Sequence, residues 1–268
     1  MLSSVFAKTL RDRRRAFLYW SLGLVAFIAM EVAVYPTVRD NPTFKTLGDS
    51  YPQAIKDLFS FGGQFDIVSG AGFLGIEAFS IVVPMMLIYC TVAAGANAIA
   101  GEEERGTLDL LLSLPLSRSR CLLEKLAALV AETLALGLVL WTVLVIAVPL
   151  AKMHIGVLEL LAATLLALAL ALVFGMIALA VGAASGRRGL AIGVPAALAV
   201  ATYVLNSLAS LVGWLGHLQW FSPFYYYTRS DPLRTGLDLS DLLVLLAIAA
   251  VFAAAAPFLF RRRDLTTP

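Results

Sequence analysis

The chain has 268 residues, 60% of them hydrophobic and 14% charged, with a formal net charge of +2 and a mean hydropathy of +0.87. A water-soluble domain usually carries about 25% charged residues, so this chain has too little polar sequence to cover a globule of its length. The two cysteines, Cys90 and Cys121, are too few for a disulfide framework, and neither sits in a metal-ligand spacing.

Taken in chain order, residues 1–15 read as an amphipathic in-plane helix. Leu2, Val5, Phe6 and Leu10 share a face, while Lys8, Arg11 and Arg15 point away from it, which suits an anionic cytoplasmic leaflet. The apolar run that follows, Ala16–Val34, is longer than a signal-peptide core and has no small-residue cleavage site, so it is expected to stay as a first span. Five further apolar blocks follow at Ile76–Ala100, Leu122–Leu150, Val157–Ala184, Leu190–Trp214 and Leu242–Phe260. Each is long enough to cross a bilayer with some tilt. Period-two alternation is absent, so these blocks satisfy their backbone groups in lipid as helices. The predicted fold is an all-α membrane protein of six transmembrane helices in a single domain, 1–268.

The basic residues orient it. With six spans, one side holds the N-terminus (Lys8, Arg11, Arg13, Arg14, Arg15), the loop after span two (Arg105, Arg118, Arg120, Lys125), the turn after span four (Arg187, Arg188) and the tail (Arg261, Arg262, Arg263). That side carries 14 of the 20 Lys and Arg residues. Cytoplasmic loops retain Lys and Arg, so both termini are expected in the cytoplasm.

Two outer segments are more than linkers. Between spans one and two, Ser50 can cap a short helix with Ile55, Leu58 and Phe59 on one face and Gly62–Gly63 at its end. Between spans five and six, residues 215–241 include Trp220, Phe221, Phe224, Tyr225, Tyr226 and Tyr227. They read either as a segment dipping into the outer leaflet or as a plain interfacial aromatic belt.

The loop over residues 101–121 carries the strongest signal. Gly106 can take the left-handed conformation that ends a helix, Thr107 can cap the next one, and Asp109 favours its first turn. Pro115 stops that short helix, and Ser117 or Ser119 can cap span three. The short helix shows Leu108, Leu111 and Leu112 on one side, outside the membrane, where apolar surface needs cover from a partner, the bilayer or the bundle. Glu102, Glu103 and Glu104 sit at a helix C-terminus facing an anionic leaflet, both unfavourable for carboxylates. Arg105 offsets only part of this, and a basic partner surface would relieve it.

The run Glu104-Arg105-Gly106-Thr107-Leu108-Asp109, followed by Leu111-Leu112-Ser113-Leu114-Pro115-Leu116-Ser117-Arg118, resembles the signature of ABC-2 type transporter permeases. The likeness extends to six spans, the basic N-terminal helix, the outer-leaflet segment and the tail Phe260, Arg262, Arg263, Asp264, Leu265. It implies an ABC-2 (type V) exporter-like permease of the bacterial or archaeal cell membrane. It further implies two permease chains, in a homodimer or heterodimer, on a nucleotide-binding ATPase subunit that holds ATP and Mg. The coupling helix that meets the ATPase would then be carried by Glu102, Glu103, Glu104, Arg105, Gly106, Thr107, Leu108, Asp109, Leu111, Leu112, Pro115 and Arg118.

No Gly-x-x-x-x-Gly-Lys-Ser/Thr phosphate loop occurs in the chain, so ATP hydrolysis is expected on another polypeptide and no cofactor on this one. His154 and His217 do not form a zinc motif, and there is no nucleophile elbow. Among ionisable residues in spans, Glu31 and Glu77 are expected at the outer boundary, solvated. Glu132 lies deeper, where it can pair with another span, line a substrate path or relay protons. Asn206 is a comparable hydrogen-bonding candidate. The spacings Gly182–Gly186 and Gly189–Gly193 suggest close helix approach. Two other readings stand beside the ABC permease: a secondary transporter with Glu132 as proton relay, and a non-transporting anchor for a cytoplasmic partner. No nucleic-acid role is suggested.

Overall fold

In the computed structural model, which describes residues 4–41, 43, 44, 66–107, 117–209, 212 and 214–262, Ser4 starts the first helix by accepting the Ala7 N–H at 3.2 Å. Helix α1 then runs unbroken through Val5–Asp40. No glycine or proline falls within residues 5–22, so nothing separates the basic segment from the first span. The in-plane helix expected over residues 1–15 is therefore not a separate element: residues 5–15 are the first three turns of a helix about 54 Å long at 1.5 Å per residue. Leu2 lies outside the described residues, as does the short helix expected between Ser50 and Gly63.

The second span is composite. Helix α2 (Gly70–Leu74) runs into a π-helical turn (Gly75–Phe79), and after a break at Ser80–Ile81 helix α3 (Val82–Ala98) completes the crossing. A short helix α4 (Ala100–Glu104) follows. The remaining spans are α5 (Arg118–Leu150), α6 (Val157–Ser185), α7 (Arg188–Ala209) and α10 (Leu239–Arg262). Between the last two lie two 3-10 turns and the short helices α8 (Pro223–Thr228) and α9 (Pro232–Thr235), each opened by a proline. Pro is pre-set for the first helical position, where its missing N–H costs nothing. Among the described residues, six helices are thus long and apolar enough to cross a membrane. The chain is an all-α, multi-pass integral membrane protein, with no strand among the described residues.

Helix α6 is the axis of the bundle. Nearly every residue from Leu160 to Ala183 is buried, and α3, α10, α7 and α5 pack around it, while α1 lies outside against α5. The closest crossing is between α3 and α6. A Cβ on Gly95 would collide with the Gly175 carbonyl and the Leu179 nitrogen, and one on Gly175 would collide with Thr91. The Thr91 hydroxyl bridges the crossing by donating to the Ala171 carbonyl at 2.8 Å. Gly186, at φ +65°, ends α6. Of the glycines expected to pack around the turn after it, Gly182 faces Ala191 and Ala100, whereas Gly189 and Gly193 face open space. The expectation of close approach holds for the first and fails for the other two.

At the end of the bundle away from the α6–α7 turn, tertiary hydrogen bonds gather the loops. Tyr35 Oη donates to the Val68 carbonyl at 3.0 Å, and Arg39 Nη1 to the Ala151 carbonyl at 3.1 Å. The segment between α7 and α10 divides in two. Trp214, Trp220 and Phe221 are exposed, as in an interfacial belt. Phe224 and Tyr227 are wedged into the bundle: Phe224 packs on Phe174 and Tyr203, and Tyr227 Oη donates to the Phe79 carbonyl at 2.7 Å.

Candidate functional site

Helix α3 ends in a stem built from residues 98–107. Gly106 N–H donates to the Glu103 carbonyl and Thr107 N–H to the Glu102 carbonyl, both at 2.9 Å, with Gly106 at φ +65°. This is a Schellman termination, which satisfies the last carbonyls of α4. Thr107 also donates its hydroxyl back to the Glu102 carbonyl at 3.1 Å. It therefore closes the preceding helix; the helix it was expected to cap, with Leu108, Asp109, Leu111, Leu112 and Pro115, lies outside the described residues.

Two ties hold the stem to the rest of the bundle. The Lys125 side chain of α5 is 1% exposed; its Nζ donates to the Ala98 carbonyl at 2.6 Å and forms an ion pair with Glu102. Glu104 Oε1 accepts the N–H of Arg188, the first residue of α7, at 2.9 Å. A carboxylate there satisfies an orphan donor and complements the positive end of the helix dipole. The acidic triplet was expected to need an outside partner. Inside the chain, Glu102 already has Lys125 and Glu104 has the start of α7. Glu103 is half-buried, and Arg105, Gly106 and Arg118 are exposed beside the stem. Ser117 caps α5 by accepting the Arg120 N–H at 3.3 Å.

Glu132 is 5% exposed and pairs with α1: Arg13 Nε and Nη2 reach its two carboxylate oxygens at 2.5 and 3.0 Å. Such a forked contact is the strongest geometry open to the pair. About two turns nearer the N-terminus of α1, Glu124 Oε2 accepts the Phe6 N–H at 3.1 Å and Oε1 accepts from Arg120. The two contacts lash the basic start of α1 along α5. Glu77 is exposed, but Glu31 is 7% exposed, so the solvated position expected for it fails; the interior face of α1 carries it inward. Asn206 Nδ2 reaches Thr228 Oγ1 at 3.4 Å, a weak tie between α7 and α8.

The opposite end has its own charge network. Asp66 Oδ1 accepts from the N–H groups of Val68 and Ser69, and its Oδ2 pairs with Arg234 at 3.2 Å. Burial opposes the Asp66 charge, but the bonds from Ser69 and Val68 and the Arg234 cation outweigh it, and the carboxyl titrates below its ordinary range. Asp231, buried beside the same arginine, is pushed up by desolvation. Wholly buried Asp241, at the start of α10, pairs with Arg229 at 2.5 Å. That arginine also stacks over Tyr225 and Tyr226 at 5.3 and 5.5 Å. Sequence reasoning singled out the acidic partners of the stem and Glu132 but missed Lys125, Arg188 and Arg13 as their counterparts. The signal for Lys125 was present: a lysine nearly two turns inside an apolar helix.

Among the described residues no group of His, Cys, Asp and Glu could hold a metal ion. A family model described as ABC-2 family transporter protein matches residues 3–265. No curated protein matches the chain.

Proposed function

Since the chain belongs to the ABC-2 transporter family, and is thereby the transmembrane permease of an ABC transporter, we propose that it serves an ATP-driven exporter. In this reading both termini lie in the cytoplasm, two permease chains enclose the path, and a separate ATPase subunit binding ATP and Mg docks on residues 102–118. The chain itself is not catalytic; its part is to turn a push on one loop into a movement of several helices.

The observation that carries this reading is the double anchorage of the stem. Glu102 ties it to α5 through Lys125, and Glu104 ties it to α7 through the Arg188 N–H. The stem is itself the continuation of α3, so displacement of the loop is transmitted to three spans at once. A loop fixed to α3 alone would bend at the Ile99 break, where the backbone leaves the helix. The Arg13 guanidinium occupies both carboxylate oxygens of Glu132, an arrangement that serves to fasten α1 to α5.

The test uses the permease and its ATPase co-expressed, purified together and reconstituted in vesicles. Glu102→Gln, and separately the double change Glu104→Ala with Gly106→Pro, should leave membrane insertion and basal ATP hydrolysis intact while transport falls about tenfold. That loss corresponds to about 1.4 kcal/mol of lost coupling. Transport unchanged in both variants would remove the coupling role from this stem.

A further inference from the structure

Beside the Arg13–Glu132 contact, α1 and α5 part to leave a cavity of about 230 Å3. Leu10, Arg14 and Phe17 form one wall, spaced so that they share a face of α1, and Ala131 and Ala135 form the other. The two alanines leave the space open: larger side chains at those positions would fill it. The paired Arg13 and Glu132 also line it, so the half-buried cation it touches is already neutralised.

The walls are apolar, so water gains little there. A molecule that fits must bring an apolar chain along Phe17 and the alanines. What stands at the mouth is positive. Among the described residues Lys8 is paired with Asp12 and Arg13 with Glu132, while Arg11, Arg14 and Arg15 are exposed and carry no ion pair. One turn further along α1, Leu18, Tyr19 and Leu22 are exposed apolar residues, which marks where the hydrocarbon begins. Basic residues one turn outside that level sit at the depth of phosphate groups.

We propose that this groove is a site for one anionic phospholipid, its phosphate on Arg14 and one acyl chain between Phe17, Ala131 and Ala135. The site needs neither the ATPase nor a second permease chain. A bound lipid there would reinforce the seam between α1 and α5 at the end where the ion pair and the Phe6–Glu124 hydrogen bond already fasten it.

The full chain, purified in mild detergent, would be offered equal amounts of phosphatidylglycerol and phosphatidylcholine and examined by native mass spectrometry. One phosphatidylglycerol should be retained in preference to phosphatidylcholine. Arg14→Gln, an exposed change that leaves the fold alone, should lower phosphatidylglycerol retention about fivefold, the effect of one basic side chain at an anionic surface. Ala135→Phe, which fills the groove, should abolish it. Equal retention of the two lipids, or unchanged retention in Arg14→Gln, would overturn the proposal. So would displacement of the lipid by millimolar inorganic phosphate, which would make the groove a free-anion site.

Discussion

Arg13 and Glu132 meet in a setting where each would be costly alone. Glu132 lies about four turns into α5, and the forked arginine makes its burial tolerable. Removing one partner is therefore worse than removing both. Glu132→Leu should destabilise the chain by about 3 kcal/mol, while Arg13→Met combined with Glu132→Leu should recover most of that loss. Thermal unfolding in nanodiscs across the four variants of the cycle measures the coupling; additive losses would show that the pair does not act as a unit. Asp66 makes a complementary case outside the spans. Its carboxyl is held below the ordinary value of 3.8, so its contribution is fully present above that value and disappears as pH falls through the lower folded-state pKa. Arg234→Gln should move the Asp66 titration upward, as followed by the carboxyl resonance in NMR, and an unmoved titration would assign the depression to the Ser69 and Val68 bonds alone.

Among the elements, the contact of α3 with α6 is set by the absence of side chains. Gly95 and Gly175 bring two backbones together where the Cβ of any other residue would meet carbonyl or amide atoms, which cannot turn aside. Gly95→Val should cost about 1–3 kcal/mol through overpacking. Gly193→Ala, made where a Cβ meets nothing, should change stability by less than about 0.5 kcal/mol. Melting temperatures of the two purified variants make the comparison, and equal values would mean that the crossing relaxes freely. The element scale also shows where pattern reading succeeded. The apolar runs Leu122–Leu150 and Val157–Ala184 placed α5 and α6 closely, because the preferences that start and stop a helix act locally. It erred at α1, where a change of composition at Ala16 was taken for a change of element. Lysines and arginines are good helix formers, and nothing in residues 5–22 obliges the helix to stop.

For the whole molecule, the arrangement of α6 at the centre and the two charge networks at opposite ends gives a bundle with distinct faces to the two compartments. The stem, the start of α1 and the α6–α7 turn are gathered at one end by the Glu104–Arg188 and Glu124–Phe6 bonds. Under the proposed topology this end is cytoplasmic. Both native cysteines are buried, so Arg11→Cys and Arg261→Cys offer clean reporters. A membrane-impermeant maleimide should label each in inverted vesicles and leave each unlabelled in intact cells; labelling from the cell exterior would reverse the orientation.

Composition and apolar periodicity alone determined that this chain lives in lipid, crosses it six times as helix and carries its informative loop after the second span. Those properties depend on transfer free energies and local backbone preferences, which are written residue by residue. The family likeness was legible for the same reason, in a short contiguous run around Gly106. What only the tertiary structure decided is which charges neutralise one another: Lys125 with Glu102, Arg13 with Glu132, Arg234 with Asp66. Their separations in sequence carry no signal, since a buried charge accepts whichever opposite charge the packing of distant helices brings within reach.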